Sequence, residues 1–239
     1  MSGSTLYEFS ALVPAGGTGS RLGGRRAKQF QTIAGRPMLA WTLSALLDRP
    51  WIRRVDVVVS ATLDEADRRE VEQAIIGAHD RLRWLPAAGL TRRDSVLGGL
   101  QSIANDNEWI MVHDAARPGL NAQVLERLRT VIEAGAPGAL AALPVADTVK
   151  RAIHDGPHPT VGQTIPRTDL WFAQTPQVFQ AGALRDALRR WPDVTDESSA
   201  MERAGLAPAL VAGDWRNLKV TTAGDLDQMR LILDPGLPS

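Results

Sequence analysis

No cysteine occurs in the 239 residues, which excludes disulfides, thiol nucleophiles and thiolate metal sites. Histidine is scarce, with four in the chain; His79, His154 and His158 show no ligand spacing, so no histidine metal centre is indicated. Neither sign of charge is in excess, since 27 Lys and Arg stand against 27 Asp and Glu. A balanced chain has no global field with which to gather nucleic acid or an anionic membrane. No apolar run approaches the length that spans a bilayer. The opening Met1-Ser-Gly-Ser-Thr is polar and carries no apolar signal segment. These absences predict a soluble, cytoplasmic globular protein. Aromatic residues are few as well, at 5%, and most are the seven tryptophans, which read as packing or arm contacts rather than platforms for nucleobases.

What the chain does have is glycine, clustered in Ala11-Leu-Val-Pro-Ala-Gly-Gly-Thr-Gly-Ser-Arg-Leu-Gly23 and followed by Lys28-Gln-Phe. An apolar run ends there in a flexible, basic loop. Gly16, Gly17 and Gly19 let backbone N–H groups approach an anion closely, and Arg21 and Lys28 add fixed positive charge. Such a loop suits a polyphosphate. It is not the dinucleotide fingerprint, because Leu22 stands where a third glycine is needed. Nor is it a P-loop, because Arg25 and Arg26 follow Gly24 in place of Lys-Ser/Thr. What remains resembles the signature loop of nucleotidyltransferases that activate sugars or polyols.

From there the chain alternates strand and helix. Helical spacing begins at Pro37, placed for a first helical turn; Val55-Asp-Val-Val-Val-Ser is a buried strand, and residues 64–76 are an amphipathic helix. Leu82-Arg-Trp-Leu is a short strand, residues 91–104 are helical, and Trp109-Ile-Met-Val-His is a strand ending in Asp114-Ala-Ala-Arg-Pro. Asn121 caps a helix to about residue 134, and residues 138–145 form another strand. Residues 170–177 receive no element. Helices follow over 183–190, from Asp196 and over 223–233, with a strand at Ala209-Leu-Val-Ala. This order predicts an α/β fold with a mainly parallel sheet covered on both faces. Ligands bind beyond the carboxyl ends of such strands, so the loops 14–28, 86–95 and 113–118 are expected to meet. Residues 147–168 break the rhythm and are too long for a structureless loop in a compact domain. They are expected to form a β-arm that lies against a partner subunit, within one domain spanning 1–239.

The motifs then gather into one resemblance. Pro14-Ala-Gly-Gly-Thr-Gly-Ser-Arg-Leu, Lys28-Gln-Phe, Asp94-Ser-Val, His113-Asp-Ala-Ala-Arg-Pro, Asp147-Thr-Val-Lys, Arg167-x-x-Leu-Trp, Gln174-Thr-Pro-Gln, Thr195-Asp-Glu and Asn217-Leu-Lys-Val-Thr resemble the 2-C-methyl-D-erythritol 4-phosphate cytidylyltransferase family. The resemblance implies a three-layer, Rossmann-like nucleotidyltransferase fold and a homodimer with interlocking arms. It also implies transfer of CMP from CTP to methylerythritol phosphate with Mg²⁺, releasing pyrophosphate. Arg21 and Lys28 would stabilise the transition state, and Arg167 and Lys219 would position the acceptor. Pro14, Ala15, Gly16, Gly17, Gly19, Gly89, Ser95, Asp114 and Ala115 would bind the nucleotide, and Arg117, Thr148 and Thr175 the acceptor, some of them across the subunit boundary. Asp114 would hold Mg²⁺, unless it is a turn aspartate. Two positions depart from the family pattern: Ala27 replaces a proline before Lys28, and Leu90 stands where an acidic residue can occur.

The chemistry asks for the same residues. A phosphate oxygen must attack the α-phosphorus of a triphosphate, so catalysis is positioning and charge neutralisation between two anions. An ionised phosphate monoester needs no general base, which leaves His113 a structural role. A ribitol 5-phosphate cytidylyltransferase is the nearest alternative. A non-catalytic nucleotide sensor on the same fold and a Rossmann oxidoreductase are weaker ones.

Overall fold

The computed structural model describes residues 7–17, 26–75, 77 and 79–234. In chain order the elements are β1 (Phe9–Pro14), β2 (Thr32–Ile33), β3 (Arg36–Pro37), α1 (Met38–Leu47), β4 (Ile52–Val58), α2 (Glu65–Ala74), β5 (Leu82–Leu85), α3 (Arg92–Leu100) and β6 (Trp109–Val112). There follow α4 (Ala122–Glu133), β7 (Ala139–Pro144), β8 (Val149–Ile153), β9 (Thr160–Ile165), β10 (Trp171–Gln180), α5 (Ala181–Arg190), α6 (Glu197–Arg203), β11 (Ala209–Ala212) and α7 (Ala223–Ile232). Seven strands form one sheet in the order β11-β7-β10-β6-β1-β4-β5. All neighbours in it are parallel except those of β10, which runs antiparallel to both β6 and β7.

Burial on both faces makes the fold three-layered. In β1, Phe9, Ala11 and Val13 pack with α1, α2 and α4, while Leu12 points the other way into α3, α5 and α6. This is the two-residue alternation of a strand, apolar on both faces because both are covered. Each such buried aliphatic side chain contributes roughly 1.5–3 kcal/mol. A third, smaller cluster of Ile33, Met38, Ala116, Val220 and Met229 closes the end of the sheet where the loops gather. Among the described residues no helix is long and apolar enough to cross a membrane.

Caps explain most helix starts. Asp64, Thr91, Asn121, Asp196 and Thr222 each accept a backbone N–H of the first turn they precede, which satisfies a donor the helix leaves orphaned. Pro37 is an exception to the expectation: it sits one residue ahead of α1 as the N-cap, in extended backbone. The helix expected to reach residue 104 stops at Leu100.

The segment 147–168 pairs with itself, β8 against β9 in an antiparallel ladder separate from the main sheet. Its strands are largely solvent-exposed, with Ile153 and Val161 outermost among the apolar side chains. The strand of the main sheet that had no sequence assignment is β10. Its pairing with β7 shifts register between Ala173 and Gln177, and its pairing with β6 begins only at Gln177. Pro176 lies in this gap, where the missing N–H costs no ladder bond.

Glycine lets α3 approach the loop before it. A Cβ on Gly98 would collide with the carbonyl oxygen of Ala87, a backbone atom that cannot swing aside. Gly98→Ala is expected to destabilise the protein by about 1–3 kcal/mol through this overpacking. Urea unfolding checks it, and an unchanged midpoint would mean that the 86–90 loop moves freely.

Candidate active site

The described parts of the three loops meet beyond the carboxyl ends of β1, β5 and β6. Gly16 abuts Ala88 so closely that a Cβ would collide with the Ala88 methyl. Gln29 donates its amide to the carbonyls of Ala15 at 2.7 Å and Gly17 at 2.9 Å, which holds the start of the glycine loop open from beneath. The hydroxyl of Ser95 donates to Thr91 O and accepts the N–H of Gly89 at 3.2 Å, so it shapes the second loop. Ala115 is buried in the core below, and its carbonyl accepts from Thr42 Oγ1 at 3.3 Å. Thus Pro14, Ala15, Gly16, Gly17, Gly89, Ser95, Asp114 and Ala115 share one end of the sheet. Gly19 and Arg21 lie outside the described residues.

Asp114 is the centre of a charge cluster. Its carboxylate meets Arg92 Nε at 2.6 Å, Lys219 Nζ at 2.9 Å and Arg117 Nε at 3.5 Å. Arg92 in turn donates to both oxygens of Glu197, at 2.7 and 3.1 Å. Three cations therefore surround two buried carboxylates. Thr175, in the gap of β10, accepts the Asp114 N–H at 3.1 Å and lies 3.0 Å from His113 Nδ1. Its hydroxyl proton is then left for Nδ1, which makes Nε2 the protonated nitrogen, donating to Arg117 O at 3.1 Å. Asn217 ties the third wall in place: its amide donates to Thr175 O at 2.7 Å, and its carbonyl accepts from Arg117 at 2.7 Å. Lys28 Nζ donates to Val220 O at 2.9 Å, next to Lys219, and so joins the glycine-loop side to the cluster.

The remaining expected residues are elsewhere. Thr148 and Arg167 stand at the base of the β8–β9 hairpin, exposed, and neither side chain pairs with the Asp114 cluster among the described residues. One chain therefore brings together Lys28, Asp114, Arg117, Thr175 and Lys219 but not the two hairpin residues.

Comparison with known proteins matches this chemistry. The family model for IspD, 2-C-methyl-D-erythritol 4-phosphate cytidylyltransferase, covers residues 9–235. The chain belongs to this family. A member from Thiobacillus denitrificans is 44% identical over 231 residues, covering 95% of this chain and 97% of the relative. One from Bordetella parapertussis is 48% identical over 228 residues, or 92% and 96% of the two chains. A crystal structure of 4-diphosphocytidyl-2C-methyl-D-erythritol synthase superimposes with a TM-score of 0.81 at 36% identity, covering 95% of this chain and 99% of that one.

Within this family member, buried Glu197 and half-buried Arg92 carry interactions that the motifs alone do not reveal. Arg92 lies just outside Asp94-Ser-Val, and Glu197 closes Thr195-Asp-Glu, yet their pairing spans 105 positions. Their signal was adjacency to motifs, with nothing in either residue to say what it touches.

The electrostatics follow from this geometry. Burial alone would raise the Asp114 carboxyl, but Arg92, Lys219 and Arg117 outweigh it and hold the group ionised, well below the usual carboxylate range. Burial would likewise lower Arg92, and its two carboxylate partners overcome that and raise it. Arg117 has less compensation, so burial draws it below its ordinary value. These residues do not form a cage for Mg²⁺. Asp114 is already surrounded by cations, and among the described residues no three His, Cys, Asp or Glu gather as metal ligands.

His113 is fully enclosed, and burial lowers its pKa from 6.5 to about 4. The neutral ring is thus the folded form, and protonation favours the unfolded chain. Stability is expected to fall as pH drops from 6.5 toward about 4. The contribution of Asp114 is lost only at lower pH, below its ordinary 3.8. Thermal unfolding across the upper window should show a steeper pH dependence for the parent than for His113→Gln. Parallel slopes would contradict the assignment.

Proposed function

We propose that the protein transfers CMP from CTP to the phosphate of 2-C-methyl-D-erythritol 4-phosphate, giving 4-diphosphocytidyl-2-C-methyl-D-erythritol and pyrophosphate for isoprenoid precursor synthesis. The observation that carries this reading is the junction of the glycine loop with the Asp114 cluster. Lys28, on the donor side, bonds to Val220 O next to Lys219, on the acceptor side, so the two are linked through the 217–220 turn. An oxygen of the acceptor phosphate forms a bond to the α-phosphorus. The bond from that phosphorus to the bridging oxygen of the β-phosphate breaks, and pyrophosphate leaves with the electron pair. Lys28, with Arg21, neutralises the triphosphate; Lys219 and Arg117 receive the acceptor by exchanging part of their hold on Asp114 for its phosphate. Backbone groups of residues 14–17, Gly89 and Ala115 read the pyrimidine. A buried, neutral His113 is consistent with a reaction that needs no general base.

Mg²⁺ is proposed to arrive on the triphosphate, whose oxygens supply the ligands the protein does not. The hairpin is proposed to cross to a second subunit in a homodimer, where Arg167 and Thr148 complete the partner's acceptor site. Their lack of contact with the Asp114 cluster among the described residues, and the exposed apolar side chains of the hairpin, support this.

Pyrophosphate release in parallel reactions tests the reading. Turnover is expected with CTP and methylerythritol phosphate, and little with ribitol 5-phosphate or other nucleoside triphosphates. No turnover with the first pair would remove it, and preference for ribitol 5-phosphate would reassign the acceptor. The arm is tested by mixing two strongly impaired variants, Arg167→Ala and Lys219→Ala, after subunit exchange. An arm acting across the dimer restores one site in each mixed dimer, about a quarter of parental activity overall. An arm acting within its own chain restores none.

A further inference from the structure

Glu197 begins α6 and is wholly buried. A carboxylate removed from water is costly unless paired and fully hydrogen-bonded. Both of its oxygens are taken by the guanidinium of Arg92, at 2.7 and 3.1 Å. A two-point contact of this kind fixes the plane of the guanidinium, which an ammonium could not do. With its two terminal nitrogens committed to Glu197, Arg92 directs its Nε at Asp114 Oδ1, 2.6 Å away. That leaves Oδ2 for Lys219 at 2.9 Å and Arg117 at 3.5 Å. Lys219 needs such a restraint: its side chain is 40% exposed, and a flexible four-carbon stem loses entropy when a substrate must order it.

We infer that Glu197 and Arg92 are positioning residues: through Asp114 they hold the Lys219 ammonium where the acceptor phosphate will need it. Arg92 stands on the second nucleotide loop, three residues before Ser95, but its side chain points to Asp114 and Glu197, so the two residues act mainly on the acceptor half of the site. Three stretches far apart in sequence, at 92, 114 and 197, thereby converge on a fourth at 219. This inference rests on the transferase reading above.

Glu197→Gln keeps the side chain's shape and removes its charge. It is expected to lower kcat/KM for methylerythritol phosphate by about tenfold, the scale of one charged hydrogen bond. The loss should sit mainly in the acceptor KM, with the CTP KM unchanged. The deciding measurement is the double-variant cycle with Lys219→Ala. If Glu197 works through Lys219, then Glu197→Gln adds little to the acceptor defect of Lys219→Ala. Additive losses, or a CTP KM that rises as much as the acceptor KM, would overturn the inference as a mere fault in folding. Arg92→Lys, which cannot bridge both carboxylates, takes the place of Glu197→Gln in the same cycle if that variant fails to fold. An inactive parent enzyme would instead remove the transferase reading, and this inference with it.

Discussion

The carboxylate of Asp114, buried among three cations, is the interaction on which the site depends. Its partners come from the first turn of α3, from its own turn and from the segment before α7. No hydrophobic contact would specify that meeting so narrowly, because apolar side chains repack and a charge cluster does not. Such clusters seldom add much to stability once desolvation is counted. What this one contributes is position. The sheet brings the ends of β1, β5 and β6 to one plane, and the charges then choose how three loops stand relative to each other.

Much of this was legible beforehand, for physical reasons. Strands covered on both faces read as largely apolar runs, so β1, the second half of β4, β6 and β7 announce themselves. Asn121 and Asp196 show their caps in the residue type alone. The hairpin could be anticipated because a long polar stretch has to find backbone partners, and here it finds them in itself. The glycine loop and the Asp-Ala-Ala-Arg turn could be placed at the ligand end because parallel sheets present their loops there.

The rest was hidden by non-local causes. Pro176 argues against a central strand, and only the register gap on both sides of it lets β10 run through the middle of the sheet. Glu197 looks like an ordinary first-turn acid, since nothing local distinguishes a buried partner of Arg92 from a solvated one. Arg167 and Lys219 share a motif set, yet among the described residues no contact joins Arg167 to the Lys219–Asp114 pair. Motif order does not record which of the motifs meet within one folded chain.

The reversed strand at the centre of the sheet also sets an order of assembly. β6 and β7 are sheet neighbours only through β10, which lies later in the chain than either. As the chain leaves the ribosome, β1, β4, β5 and β6 can close on one another, while β7 has no partner until Trp171 and its successors emerge. The glycine loop and the 86–95 loop therefore belong to the half that is complete early. Thr175, Glu197 and Lys219 all belong to the half that comes last. A nascent chain halted in between exposes one edge of β6 and both edges of β7, and the final third of the protein covers them with β10 and β11 and completes the Asp114 cluster.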